Sequence, residues 1–206
     1  MDKFIRLTAT ACPLDVANLN TDQLIPARFL KLPRAAGLAV ALLRDLRFDA
    51  DGRERPDFPL NRPAWREAKI IVGARNFGCG SSREAAVWSL FAFGIRCVIA
   101  PSFGPIFFNN CFQNGLLPVA LPLEVIEELV SEVEASQGTG KVSIDLEACT
   151  VTSLSGKVTP FKIDALRREA LLAGQDQIEQ TRRRDTEIAS FEAGDRQRFP
   201  WLYQRA

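Results

Sequence analysis

At 206 residues, with 47% apolar and 25% charged side chains, the chain can bury a substantial core, and we expect a single domain. Its net charge of +1 gives no electrostatic basis for binding nucleic acid or an anionic membrane surface. No apolar run approaches the roughly 18 residues of a membrane span, and the first residues lack the apolar region of a signal peptide, so we expect a cytoplasmic protein.

The chain contains no histidine. A Ser-His-Asp triad, a Cys-His pair, an H-E-x-x-H zinc site and a Cys/His zinc finger are therefore excluded within it. The five cysteines form no C-x-x-C pair, which favours reduced thiols over a disulfide framework. The same spacing argues against an iron–sulfur cluster held by this chain alone. The cysteines are Cys12, Cys79, Cys97, Cys111 and Cys149.

The N-terminal third combines one predicted strand with loop chemistry. Residues 3–10 have the pattern of a strand, and Pro13 is predicted to end it. The polar residues 18–23 offer cap and turn side chains, which indicate the start of a helix. Within 31–50, a proline and a glycine bracket small residues, so we predict a mobile loop that suits a substrate lid. Residues 51–66 are rich in aspartate, arginine and proline and are predicted to form an excursion on the surface.

From residue 69 to residue 134, strand-like and helix-like apolar runs alternate. This alternation is typical of βαβ units and a mainly parallel sheet, and strands that are apolar throughout fit burial on both faces. We therefore predict an α/β fold. The predicted strands are 69–73, 95–100 and 116–121, and the predicted helices are 83–93, 102–109 with Ser102 as its N-cap, and 123–134.

After Gly140 the pattern changes to short strands joined by turns, which predicts an antiparallel addition to the parallel sheet. Asp164 is predicted to cap the next helix, and a charged helix is predicted over 176–192. Residues 199–203 are apolar, and we expect them to pack on the protein's own core or on a partner. Residues 165–206 are thus predicted to be a helical extension of the domain. The predicted short strands are 142–146, 149–153 and 158–163.

The most informative segment is residues 76–84, Asn-Phe-Gly-Cys-Gly-Ser-Ser-Arg-Glu, which lies between a predicted strand and a predicted helix. We call this segment the cradle. Its glycines allow a tight turn and a close approach to a ligand. Two hydroxyls and a guanidinium follow where the N–H groups of a new helix lack partners, an arrangement suited to an anion. The fork of Arg83 suits a carboxylate, and Ser81 and Ser82 can either cap the helix or bind the same anion.

Other uses of glycine-rich turns fit the cradle less well. A dinucleotide fingerprint needs a third glycine where Arg83 stands, a P-loop needs Gly-Lys-Ser/Thr, and a nucleophile elbow needs Gly-x-Ser-x-Gly and a histidine. A purely structural turn stays open on composition alone.

Ser81 is a candidate base at the centre of the cradle. It could remove a proton next to a carboxylate only if N–H donors, such as that of Gly80, and a nearby cation stabilised its alkoxide. Such a reaction also needs an electrophile to help expel the leaving group. Since the chain has no metal motif, that electrophile must come from elsewhere, and the chain corresponds to half of an active site.

Several segments, in order along nearly the whole chain, resemble a known family. The cradle resembles the signature of the small subunit of 3-isopropylmalate dehydratase, in the aconitase superfamily. Residues 21–30 are similar to that family's Thr-Asp-Gln-Ile-Ile-Pro segment. Further matching stretches are 100–103, 109–118, 188–192 and 200–202.

This resemblance implies a swivelling β/β/α domain like the C-terminal domain of aconitase. It also implies a hydro-lyase of leucine biosynthesis, which isomerises 2-isopropylmalate to 3-isopropylmalate, a small dicarboxylate, by dehydration and rehydration. The small subunit would be active only with a large subunit, as a heterodimer or heterotetramer. No cofactor is expected on this chain, because the resemblance places a [4Fe-4S] cluster on the large subunit.

The family's site residues transfer onto matching positions of this chain. The resemblance implies that Ser81 is the base that removes the proton from carbon. Ser82 and Arg83 would hold a substrate carboxylate, and Asp22 would face the catalytic groups of the large subunit. Gly80 in the cradle and Arg34 in the specificity loop would also contact the substrate.

The chain departs from the family pattern near these residues. Ala85 stands where the family usually has a histidine, Ala35 where its loop commonly has a threonine, and Arg-Asp-Thr at 184–186 where His-Glu-Asp is expected. Two alternatives therefore stay open: a related hydro-lyase of the citraconate, dimethylmalate or homoaconitate type, and an inactive scaffold. The retained serine, arginine and aspartate favour an active enzyme.

Overall fold

The computed structural model describes residues 1–33 and 37–203, in which the strands form two four-stranded sheets. One sheet is parallel, with the order β2-β3-β4-β5, and the other is antiparallel, with the order β1-β6-β7-β8. In chain order the strands are β1 (Arg6–Ala9), β2 (Ala11–Leu14), β3 (Ile70–Gly73), β4 (Cys97–Ala100), β5 (Leu117–Ala120), β6 (Val142–Asp145), β7 (Thr150–Thr152) and β8 (Val158–Pro160). The predicted α/β class, with a parallel sheet and an antiparallel addition, is confirmed.

The helices of the described residues cover the parallel sheet and extend the C-terminus. They are α1 (Thr21–Leu24), α2 (Leu38–Ala41), α3 (Arg44–Arg47), α4 (Glu84–Phe93), α5 (Pro105–Gln113), α6 (Leu123–Ser136), α7 (Ala165–Ala173), α8 (Gln177–Arg182) and α9 (Asp185–Arg198). Helices α4 and α5 connect successive parallel strands, and α6 packs against β2, β3 and β4. No helix in the described ranges has the length and apolar character needed to span a membrane.

The two central strands of the parallel sheet, β3 and β4, are buried on both faces. Every residue of β3 and β4 is buried, so these strands are apolar without alternation. Ile71 pairs with Val98, and Val98 pairs with Pro118 of β5. Each fully buried isoleucine or valine contributes about 1.5–3 kcal/mol relative to an exposed one, so this layer is a major source of stability.

The strand predicted over residues 3–10 contains β1, but the prediction that Pro13 ends the strand was wrong. The chain instead crosses at Thr10 from β1, in the antiparallel sheet, to β2, in the parallel sheet. Pro13 lies inside β2 rather than ending a strand. Among the described residues β2 pairs only with β3, so it is an edge strand, where a missing N–H group is tolerated.

The predicted mobile loop over 31–50 was too long. Leu42 and Leu43, between α2 and α3, are fully buried, and Arg47 is only 5% exposed. The guanidinium of Arg47 donates through Nε to Asn61 Oδ1 (3.0 Å), and burial lowers the pKa of this side chain. Trp65, from the predicted surface excursion, is also buried. The part of the loop prediction that concerns residues 34–36 lies outside the described residues.

The C-terminal extension begins as predicted and then differs. Asp164 caps α7, where its Oδ1 accepts the N–H groups of Leu166 and Arg167. The charged helix predicted over 176–192 is divided into α8 and α9. No residue of α9 is buried, and Trp201 beyond it is 63% exposed. The apolar terminus therefore does not pack on the protein's own core, and its packing on a partner stays a prediction.

Candidate active site

The cradle leaves the C-terminal end of β3 and leads into α4. Gly78 and Gly80 adopt φ values of +70° and +92°, in the left-handed region that glycine reaches without steric cost. A Cβ atom on Gly78 would overlap the ring of Phe107 in α5. A Cβ atom on Gly104 would lie 2.5 Å from Gly78 O. The cradle backbone therefore rests directly on the start of α5, and the absence of side chains on Gly78 and Gly104 makes that approach possible.

The loop between β4 and α5 supports the first half of the cradle. Phe77 N–H donates to Ser102 O (3.0 Å), and Gly104 N–H donates to Phe77 O (2.9 Å). The predicted role of Ser102 as a helix cap was wrong, because its Oγ accepts the N–H of Asn76 (2.9 Å). Helix α5 begins later, at Pro105, whose fixed φ suits the first helical position.

The segment before α1 supports the second half of the cradle. Gly78 N–H donates to Leu19 O (2.7 Å), and Thr21 N–H donates to Cys79 O (2.9 Å). The hydroxyl of Thr21 donates to Ser81 O (2.7 Å). The predicted helix start is confirmed, since Asn20 and Gln23 form a capping box at the N-terminus of α1. The sequence predicts cap and turn chemistry for residues 18–23 and does not reveal these contacts of Thr21 with the cradle.

The structure brings Asp22 and Arg83 together. Arg83 Nη2 lies 2.5 Å from Asp22 Oδ1, and Arg83 Nη1 donates to Ile25 O (3.2 Å). The Arg83 side chain is 16% exposed, whereas that of Asp22 is 54% exposed. The guanidinium is thus fixed on α1 at the edge of the cradle. The sequence predicts separate roles for the two residues and gives no sign of their ion pair.

Ser81 and Ser82 lie at the open side of the cradle. Both residues are exposed, as is Gly80. No hydrogen bond joins either hydroxyl to another residue in 1–33 or 37–203. Neither serine caps α4, because Arg83 occupies the N-cap position and forms no side-chain cap. The exposed hydroxyls therefore lie beside N–H groups of a helix start, which favour an anion.

Glu84, the last residue of the cradle, and Ala85, the residue after it, make their contacts outside the cradle. Ala85 is 8% exposed and belongs to the core. Glu84 Oε1 accepts a hydrogen bond from Asn114 Nδ2 (2.8 Å), and Asn114 Oδ1 accepts one from Trp88 Nε1 (2.9 Å). Glu84 is therefore held toward the C-terminal end of α5. Arg34, which was predicted to contact the substrate, lies outside the described residues.

No group of three or more cysteine, aspartate or glutamate residues that could hold a metal ion occurs within residues 1–33 and 37–203. The exposed serines, the anchored arginine and the helix start of the cradle are suited to binding an anion.

Thiol labelling should separate the cysteines into two groups. Burial raises the pKa of Cys12, Cys97 and Cys111, and the thiolate is the reactive form. Cys79 and Cys149 are partly exposed. We expect iodoacetamide to modify these two in the folded protein and to spare the other three, as read by peptide mass mapping. Labelling in guanidinium is the control and should reach all five cysteines, whereas rapid labelling of Cys97 in the folded protein would contradict the described core.

Two protein-family models together match most of the chain. The model described as the Aconitase C-terminal domain matches residues 1–124. A second model, LeuD_N, matches residues 127–165.

Individual proteins match over nearly the full length. The chain is 52% identical over 202 residues to a 3-isopropylmalate dehydratase small subunit from Phenylobacterium zucineum, with 98% of each chain covered. It is 51% identical over 193 residues to the protein of the same name from Gluconobacter oxydans, with 93% of this chain and 92% of that one covered. A crystal structure of 3-isopropylmalate dehydratase (leuD) from Methanocaldococcus jannaschii is similar with a TM-score of 0.64 and 26% identity, covering 90% of this chain and 99% of that one.

Proposed function

This chain belongs to the family of 3-isopropylmalate dehydratase small subunits, and on that basis we propose that its cradle is half of an active site completed by a large subunit. The members of this family are subunits of a hydro-lyase of leucine biosynthesis. The observation that carries the proposal is the pair of exposed serines at an uncapped helix start beside an anchored arginine. That arrangement supports anion binding and leaves the electrophile to the partner.

Ser81 is the proposed base. A free serine hydroxyl is too weak a base near neutral pH, so its ionised form must be stabilised by N–H donors and a cation. The start of α4 supplies N–H groups, and Arg83 supplies the cation. Ser81 would then take the proton from the substrate carbon, and its exposed hydroxyl is accessible to a substrate held between two subunits.

Arg83, Ser82 and Gly80 are the proposed carboxylate site. The guanidinium of Arg83 is held by Asp22 and the carbonyl of Ile25, so its orientation is fixed before the substrate arrives. Asp22 would also face the catalytic groups of the large subunit, since its carboxylate is more than half exposed. We propose Arg34 as a further substrate contact on the basis of the family resemblance alone.

The proposed partner is a cluster-bearing large subunit, in a heterodimer or heterotetramer. A [4Fe-4S] cluster on that subunit would act as the Lewis acid on the substrate hydroxyl. This chain would hold the substrate carboxylate, place Ser81 at the carbon and help exclude water. A cytoplasmic location is also proposed, and the five free thiols suit a reducing compartment.

Reconstitution with the large subunit tests this function. The two subunits should co-purify, and the anaerobically prepared complex should hydrate isopropylmaleate, followed by the loss of its ultraviolet absorbance. Citraconate and homoaconitate are the matched comparison substrates. Hydration of one of those in preference to isopropylmaleate would reassign the substrate. A stable complex with full cluster content and no activity on any of the three would favour an inactive scaffold.

Replacing Arg83 with lysine should weaken substrate use without unfolding the protein. Lysine keeps the charge but loses the planar fork that contacts Asp22 and Ile25 and would contact the carboxylate. We expect kcat/KM of the complex to fall about 10- to 100-fold, corresponding to about 1.5–3 kcal/mol for a charged hydrogen bond. Arg182→Lys, at an exposed position on α8, is the control and should behave as the unmodified protein. Equal activity of both variants would remove Arg83 from the site.

A further inference from the structure

Thr21 is a buried polar residue that uses both of its donors on the cradle. Its residue surface is 2% exposed. Its N–H donates to Cys79 O (2.9 Å), and its Oγ1 hydroxyl donates to Ser81 O (2.7 Å), across 60 residues of sequence. The first carbonyl belongs to the peptide plane that precedes Gly80, and the second to the plane that follows Ser81. Thr21 therefore holds the two peptide planes that flank Gly80 and the proposed base.

The geometry of the peptide bond shows in which direction the N–H groups of Gly80 and Ser82 point. The peptide bonds are trans in the described residues, so the N–H of each plane points opposite to its C=O. The N–H of Gly80 shares a plane with Cys79 O, and the N–H of Ser82 shares a plane with Ser81 O. Because both carbonyls point toward Thr21, both N–H groups point away from it, on the same side of the chain.

These two N–H groups have no protein partner in the part of the chain that the structure describes. Gly80 and Ser82 are exposed residues, so a ligand can approach this part of the chain. Gly80 also lies close against α1, since a Cβ atom on it would be 3.7 Å from Thr21 Oγ1 and 3.5 Å from Asn20 Cβ. Two N–H donors on the same side of the chain, one before and one after Ser81, are suited to a carboxylate.

We propose that Thr21 is a positioning residue, whose hydroxyl holds the Ser81 carbonyl so that the N–H groups of Gly80 and Ser82 bind a substrate carboxylate beside the Ser81 side chain. This inference rests on the proposed function of the cradle. Thr21 would not touch the substrate. Its effect would pass through the peptide plane between Ser81 and Ser82.

Two substitutions at Thr21 separate this role from packing. Thr21→Val keeps the size, the branching and the backbone N–H bond to Cys79 but removes the hydroxyl. Thr21→Ser keeps the hydroxyl and removes a buried methyl group. If Thr21 served only packing, the serine variant would be the more damaged of the two, because it leaves a small cavity. If it positions the cradle, the valine variant would lose activity and the serine variant would keep it.

The test is kcat/KM of the assembled large–small complex with isopropylmaleate, together with the melting temperature of each variant. We expect kcat/KM of the Thr21→Val complex to fall about 10- to 100-fold. Removal of a whole oxyanion donor typically costs about 10²–10³-fold, and the loss here should be smaller because the misdirected donor stays in place. We expect Thr21→Ser to stay within about threefold of the unmodified complex despite a lower melting temperature. Full activity of Thr21→Val, or equal losses in both variants, would overturn the inference.

Ser81→Ala in the same assay tests the base assignment of Ser81 separately from the positioning role of Thr21. If Ser81→Ala is inactive and Thr21→Val is fully active, the positioning role fails while the base assignment stands. If Ser81→Ala is fully active, the base assignment itself fails, whatever the variants of Thr21 do.

Discussion

Replacing Ser81 with alanine should lower the turnover of the assembled complex by about 10²- to 10⁴-fold, the range that a positioned acid or base contributes. The hydroxyl is the proposed acceptor of the carbon-bound proton, and alanine offers no substitute. Because Ser81 is exposed and its side chain bonds no other described residue, the melting temperature should change little. The measurement is kcat with isopropylmaleate at matched cluster content.

Two other serines serve as controls for this result. Ser190→Ala, at an exposed position on α9, should leave kcat and KM unchanged. Ser82→Ala should raise KM more than it lowers kcat, since Ser82 is proposed to bind the carboxylate and not to move the proton. A Ser81→Ala complex with full turnover would remove Ser81 from the chemistry.

Replacing Gly78 with alanine should destabilise the fold by about 2–5 kcal/mol. The left-handed backbone at φ +70° costs about 1–2 kcal/mol for a residue with a Cβ atom. The overlap of that atom with the Phe107 ring adds about 1–3 kcal/mol of overpacking. Urea unfolding followed by circular dichroism gives the free energy of unfolding, and any folded fraction should also have a displaced cradle and low activity.

Gly156→Ala is the matched control for the glycine prediction. Gly156 has a similar φ of +88°, but a Cβ atom there would meet nothing within 4 Å. Its substitution should therefore show only the backbone cost of about 1–2 kcal/mol. The difference between the two variants measures the contact between the cradle and α5. Equal losses would mean that the cradle does not depend on that contact.

Features set by neighbouring residues were predictable from the sequence. Continuous apolar runs identified β3 and β4, because strands covered on both faces have no polar side to alternate with. Asp164 identified the start of α7, since its carboxylate bonds N–H groups two and three residues ahead. The glycines of the cradle identified a tight strand-to-helix turn for the same local reason.

Features set by distant residues were not predictable in this way. Pro13 was interpreted as the end of a strand, because nothing in the neighbouring residues states whether a strand lies at the edge of a sheet. Ser102 was interpreted as a cap, although its hydroxyl accepts from Asn76 across 26 residues. Leu42 and Leu43 were placed in a mobile loop, and only the tertiary core shows that they are buried.

The candidate site also combines features set by neighbouring residues with features set by distant ones. The sequence determined its ingredients, Ser81, Ser82 and Arg83 at the start of a helix, because they are contiguous and their chemistry is local. Only the tertiary structure decided that Arg83 is fixed by Asp22 and that Thr21 fixes the carbonyl of Ser81. Those contacts depend on β2 and β3 pairing in parallel, which brings the segments that follow both strands to one edge of the sheet.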